Sequence, residues 1–365
     1  MGFLCGIVGL PNVGKSTLFN ALTAGHADCS NYPFCTIEPN VGVVPVPDER
    51  LGGLVQLYHP EKVVPSVLEF FDIAGLVRGA SRGEGLGNQF LSHIREVDAI
   101  AHVVRCFEDA AIVHVDGTID PKRDIEIVET ELLLKDLESV ERRLADVQRR
   151  AKAGEKNAKA EADFWICMRG HLAGGHLARA LPSRNAEESA WRGGLHLLTV
   201  KPVMYVCNVS EGDVARGNAF VDQVRTIAGP FGAPVVTVSA AIEAEIAGLD
   251  PVEREEFSRG LGLKNSELDR IILAGYSLLD LVTFFTVGEK EVRAWTVKKG
   301  TPVVSAAGHI HSDFEHGFIC AEVARCGDLL RAGSDHALRE SGQLRIEGRE
   351  YTVQDGDVIL VKFRL

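Results

Sequence analysis

Apolar and polar positions alternate along this chain in blocks of two kinds. Leu4-Cys5-Gly6-Ile7-Val8 is a short apolar run suited to a buried strand, and residues 17–22 after it read as a helix. Val67-Leu68-Glu69-Phe70-Phe71, Ala101-His102-Val103-Val104-Arg105, and the runs 202–207 and 233–238 are further strand candidates. This alternation predicts an α/β fold: a doubly wound parallel sheet built from residues 1–120 and 196–279, with any ligand at the carboxyl ends of its strands. A helical linker over about residues 265–279 closes that part.

The stretch 121–195 breaks the alternation. Leu133, Leu137, Val140, Leu144, Val147 and Ala151 are spaced four, three, four, three, four, a heptad seam. Gly154 marks a turn, and residues 158–180 can return as a second helix. The pattern predicts an antiparallel, coiled-coil-like hairpin projecting from the sheet. Beyond residue 280, the runs 291–297, 317–323 and 358–363 read as strands of a small α+β domain over 280–365.

Between the first strand and helix lies Gly9-Leu10-Pro11-Asn12-Val13-Gly14-Lys15-Ser16, which fits the phosphate-binding P-loop G-x-x-x-x-G-K-[ST]. Its strand–loop–helix setting lets main-chain N–H groups converge on an anion. Asn12, Val13, Gly14, Lys15, Ser16 and Thr17 are the expected phosphate contacts, with Lys15 on the β- and γ-phosphates and Ser16 on Mg²⁺. Asp72-Ile73-Ala74-Gly75 ends the next strand. Asp72 there can hold Mg²⁺ through water, and Gly75 offers an N–H to the γ-phosphate. Thr36, twenty residues past Ser16, can complete the Mg²⁺ shell when triphosphate is bound.

Asn208-Val209-Ser210-Glu211 occupies the place of the GTPase base motif N-K-x-D. It keeps the Asn, replaces Lys by Val209 and Asp by Glu211. Losing the Asp removes a guanine reader and relieves a block against adenine. Asn208 and Val209 are expected at the base, backed by Ser239 in Ser239-Ala240-Ala241. A helix cap is the plainer reading of N-V-S-E.

These motifs resemble the YchF/Obg-like ATPase family, within the Obg group of translation-associated P-loop NTPases. The stretches 31–40, 72–77, 83–88 and 354–358 carry the resemblance too, which runs over essentially the whole chain. It implies an ATP-preferring nucleotidase that associates with the ribosome, a helical arm, and a C-terminal TGS domain of ubiquitin-like β-grasp fold. It also implies a catalytic loop histidine, matched by His114, because Leu76 stands where Ras-like enzymes hold water with a Gln. Asn12 resembles the P-loop Asn of potassium-activated relatives, which implies K⁺ near the phosphates; support of the loop by its side chain is the other reading.

The chain has 365 residues and a net charge of −12, which argues against indiscriminate nucleic-acid binding. Charge is unevenly distributed, however. Arg142, Arg143, Arg149, Arg150, Lys152, Lys156 and Lys159 face only Asp146 and Glu155 around the expected hairpin tip, a setting suited to ribosomal RNA. Lys298 and Lys299 offer a second contact. No run approaches the roughly 20 apolar residues of a membrane span, and no secretory or lipidation signal is expected, so a cytoplasmic setting follows. The eight cysteines form no C-x-x-C and read as reduced thiols. Two other functions stay open: a GTPase in which Glu211 replaces Asp, and a nucleotide-gated scaffold whose hydrolysis is incidental.

Overall fold

The computed structural model describes residues 3–24, 40–73, 75, 86–115, 117–249, 253 and 266–364, without the side chains of 86–89. Strands β1 (Leu4–Val8), β2 (Val41–Pro45), β3 (Lys62–Val64), β4 (Val67–Asp72), β5 (Ala99–Arg105), β6 (Val203–Asn208) and β7 (Val235–Val238) come first. All but β3 form one sheet in the order β2-β4-β1-β5-β6-β7. From β4 to β7 the pairs are parallel, as the alternation predicted. β5 is buried at every position, because helices cover both faces of a central parallel strand. The chain leaves β1 toward β4 on one side and returns to β5 on the other. The carboxyl end of β1 is therefore the point where strand order reverses, where a doubly wound sheet opens a crevice.

One strand departs from expectation. β2 runs antiparallel to β4 at the sheet edge. The segment joining them does not cross over this sheet; it leaves for the C-terminal domain, so β4 re-enters in the opposite direction.

Helices α1 (Lys15–Ala24), α2 (Glu49–Tyr58), α3 (Leu86–Glu96) and α4 (Pro121–Lys152) follow in chain order. α4 starts on Asp120, whose side chain accepts from the Arg123 N–H, with Pro121 in its first turn. Its seam residues Leu133, Leu137, Val140, Leu144 and Val147 pack against Ala162, Trp165, Met168 and Leu172 of α5 (Ala158–Ala173). The turn between them uses Gly154 (φ 81°) and Asn157 (φ 66°). α5 is shorter than the predicted return to residue 180, because Gly174 and Gly175 follow it and Gly175 is left-handed. At the root, buried Asp136 accepts from the Leu198 and Thr199 N–H groups (2.7 and 2.8 Å) and from the Thr199 hydroxyl (2.6 Å). That fastens the hairpin to the 3-10 turn Leu198–Val200, which leads into β6.

Helices α6 (Ala186–Leu195), α7 (Ala219–Ala228), α8 (Ala240–Ala247) and α9 (Glu267–Leu278) come next. They lead to β8 (Leu281–Thr286), β9 (Glu291–Lys298), β10 (Phe318–Arg325), β11 (Arg345–Glu347) and β12 (Asp357–Phe363). This second sheet has the order β11-β10-β12-β8-β9-β3. Its last strand comes from the first part of the chain: β3 pairs with β9 in parallel. α2 follows the same route. Leu54 is fully buried among Phe285, Val292, Ala324 and Leu329, and Arg50 spans Asp48 (2.7 Å) and Asp355 (2.6 Å). Residues 48–64, expected with the nucleotide domain, thus complete the C-terminal one.

Candidate functional site

β1 delivers the chain to the loop 9–14. A side chain at Gly9 would put its Cβ 2.5 Å from the Val103 carbonyl oxygen, so only glycine lets the loop pass β5. Gly14 is left-handed (φ 97°), and a Cβ there would meet the Asn208 amide at 2.3 Å. α1 then begins at Lys15, with its first N–H groups at the loop. The Lys15 ammonium donates to the Leu10 carbonyl at 2.8 Å. Burial brings it down to about 8, against the opposing pull of Asp72.

Asp72 ends β4 beside Ile7 of β1. Its Oδ1 is buried with no hydrogen-bond partner among the described residues. A buried carboxylate oxygen left this way is costly unless something cationic or protic meets it, which fits a Mg²⁺ shell. Ser16 is exposed at the start of α1, on the open side of the loop. Gly75 lies against Lys15: a Cβ there would be 3.1 Å from the ammonium. Thr36 falls outside the described residues, as does Leu76.

A cleft of about 600 Å³ opens above this loop. Asn12, Gly14, Lys15, Ser16 and Thr17 form its floor, Asn208 to Glu211 one wall, and Ser239 to Ile242 another. Val13 does not line it; its side chain is in the core, and only its carbonyl takes part, accepting from Asn208 at 2.9 Å. Asn208 is buried and acts as a brace. Its Nδ2 holds the P-loop, and its Oδ1 accepts from the Ala240 N–H at 3.0 Å. Val209 reaches the cleft from the apolar core, and Glu211 lines the same wall. Ser239 caps α8.

The roof was not foreseen. Phe107, Glu108, Asp109 and Ile112 close the cleft from the loop after β5. Arg105, 2% exposed, organises that loop by donating to the carbonyls of Phe107 (3.2 Å), Asp109 (3.2 Å) and Ile112 (3.1 Å). Asn12 adds a bond from its amide nitrogen to the Val113 carbonyl at 3.2 Å, tying the P-loop to this loop. An arginine closing an apolar strand run was the available signal, since a buried guanidinium must find acceptors.

His114 stands apart from the cleft in this structure. His114 is buried, does not line the cleft, and bonds through Nε2 to Asp124 of α4 at 2.9 Å. The loop turns its imidazole inward, toward the root of the hairpin, where a carboxylate is available. The basic tip is also quieter than its composition suggested. Arg142 pairs with Glu138, Arg143 and Arg150 with Glu161, and Arg149 with Asp146. No ion pair involves Lys152, Lys156 or Lys159 among the described residues.

Comparison with known proteins matches this geometry. A family model described as 50S ribosome-binding GTPase covers residues 4–145. A second, YchF-GTPase_C, described as a protein of unknown function (DUF933), covers 281–364. The chain is 52% identical over 365 residues, all of both sequences, to the protein named Ribosome-binding ATPase YchF of Escherichia coli O157:H7. It is 52% identical over 367 residues, again all of both, to the protein of the same name of Bacillus subtilis (strain 168). The chain belongs to the YchF family. The solved YchF GTPase of Schizosaccharomyces pombe, 39% identical, superposes with a TM-score of 0.88 over 99% of this chain and 98% of that one. The fold is therefore the α/β P-loop GTPase fold with a helical insertion and a C-terminal domain, as the motifs implied. A structure of a GTP binding protein from Pyrococcus horikoshii OT3, 19% identical, shares this fold with a TM-score of 0.62 over all of both chains.

Proposed function

We propose that this chain is a Mg²⁺-dependent nucleotide switch that binds ATP in preference to GTP, hydrolyses it slowly, and associates with the ribosome in the cytoplasm. One observation carries the reading: a P-loop cradle opens onto a base wall bearing Val209 and Glu211 in place of the guanine-reading Lys and Asp. The loop amides and Lys15 would grip the phosphates. Ser16 and Asp72, with Thr36, would hold Mg²⁺, which when bound neutralises charge on the β- and γ-phosphates. At the wall, Val209 packs on the purine, and no short carboxylate faces the adenine N1 lone pair. The test is a titration of the purified protein with Mg²⁺ and either ATP or GTP. ATP is expected to bind at least several-fold tighter; equal or reversed affinity removes the preference and leaves the GTPase alternative.

For hydrolysis, His114 is the proposed partner of the attacking water and K⁺ beside Asn12 the proposed activating ion. The loop must then leave Asp124 for His114 to act. Turnover should fall with His114→Ala and when Na⁺ replaces K⁺; unchanged rates discard each idea. The burial of His114 against Asp124 also favours the second reading, a nucleotide-gated scaffold with incidental turnover.

Ribosome association is supported by the names of the E. coli and B. subtilis relatives and by the lysines at the hairpin tip. Ribosomal RNA is the proposed contact. Reversing Lys152, Lys156 and Lys159 to Glu should weaken co-sedimentation with ribosomes. These positions, unlike Arg149 and Arg150, can be changed without breaking ion pairs inside the hairpin. Undiminished co-sedimentation would remove the tip as the contact.

A further inference from the structure

The turn 239–241 forms one wall of the cleft, and it is held from behind by a residue outside the cleft. Glu267, the first residue of α9, accepts from the Ser239 N–H through Oε2 at 3.2 Å. Glu243, in the first turns of α8, accepts from the Glu267 N–H through Oε1 at 3.1 Å and from the Ser266 hydroxyl at 3.4 Å. Each helix therefore gives a carboxylate to the opening amide of the other, where unpaired N–H groups and the helix dipole favour negative charge. Glu267 is 2% exposed and does not line the cleft. Asn208 takes the next amide, Ala240 N–H. Two successive donors of the wall are thus already engaged by side chains of the protein.

We propose that Glu267 is a positioning residue for base recognition: by binding the Ser239 amide it fixes the 239–241 turn against the purine and withholds that N–H from the base. This rests on the reading above, in which the cleft takes a nucleotide with its base at this wall. The chemistry gives the effect a direction. Guanine presents an acceptor, O6, where adenine presents the N6 amino donor. A loosened turn with a freed N–H loses its fit to adenine and gains a partner for guanine. Substituting Glu267 should therefore change the base preference, not the grip on phosphate.

The experiment measures Mg²⁺-dependent binding of ATP, GTP and inorganic tripolyphosphate to the full-length protein, as wild type, Glu267→Ala and Glu267→Gln. Loss of one hydrogen bond to a buried carboxylate predicts ATP binding about tenfold weaker in Glu267→Ala. GTP should weaken less, and tripolyphosphate should be unchanged. Glu267→Gln keeps a carbonyl acceptor and should restore ATP binding. Should Glu267→Ala fail to fold, Glu267→Asp, whose carboxylate is one methylene short, carries the same comparison. ATP affinity unchanged in the Ala or Asp variant overturns the proposal, and so does an equal loss for ATP and tripolyphosphate. Wild-type protein that takes up neither ATP nor GTP overturns the reading of the cleft itself.

Discussion

Lys15 is 7% exposed and faces Asp72 across the loop, yet burial prevails and lowers its ammonium to about 8. The unfolded chain, with an ordinary lysine near 10.5, holds more protons between about pH 8 and 10.5. The ligand-free protein should therefore gain stability as pH rises through that window and carry the full burial penalty below it. A bound triphosphate reverses the balance by bringing negative charge to the same ammonium. ATP binding at about pH 9 should then be accompanied by proton uptake, which calorimetry detects as a heat that varies with the ionisation enthalpy of the buffer. The variation should vanish in Lys15→Met; identical heats for wild type in all buffers would contradict it. At this scale the sequence was most readable where a motif names atoms. Lys15 and Ser16 line the cleft, and Asp72 lies within electrostatic reach of Lys15. Asn208 as a brace and Glu267 were unreadable in those roles, because their partners lie on segments whose approach no local spacing encodes.

The loop after β5 is an element held by its neighbours: Arg105 below, Asn12 at the P-loop and Asp124 on α4. It has little apolar anchorage of its own, and Val113 and Val115 are exposed. Its closed form depends on Arg105. Arg105→Ala would take the donor from three part-buried carbonyls and should cost about 2 kcal/mol in denaturant unfolding. A loss below about 1 kcal/mol would mean water already serves those carbonyls. The hairpin shows the opposite case, an element legible in advance. Its heptad seam depends on one helix facing one partner, so the spacing alone located the contact. β2 and β3 were not separable by pattern. Each is too short for a period to register, and the direction of β2 is set by where the following chain goes.

Across the whole molecule, the nucleotide domain and the C-terminal domain are not joined by a linker alone. Residues 48–64 leave the first sheet after β2, bury Leu54 in the second domain, add β3 to its edge, and return as β4. Asp72 lies at the far end of that returning strand. Leu54→Ala should therefore lower stability by about 2–5 kcal/mol as for any fully buried leucine, and the loss should appear in the unfolding of the C-terminal domain. Measuring amide exchange in β9 would check this; protection unchanged there would show that α2 is dispensable. Neither domain could have been delimited from the run of elements along the sequence, since a contiguous reading assigns this segment to its chain neighbours.

β3 also has a consequence for biosynthesis. Its strand leaves the ribosomal tunnel long before β9, so the earlier-made part of the polypeptide carries the template against which the later one is finished. A fragment beginning at residue 281 would be born with a bare sheet margin along β9, an invitation to pair with a sister molecule.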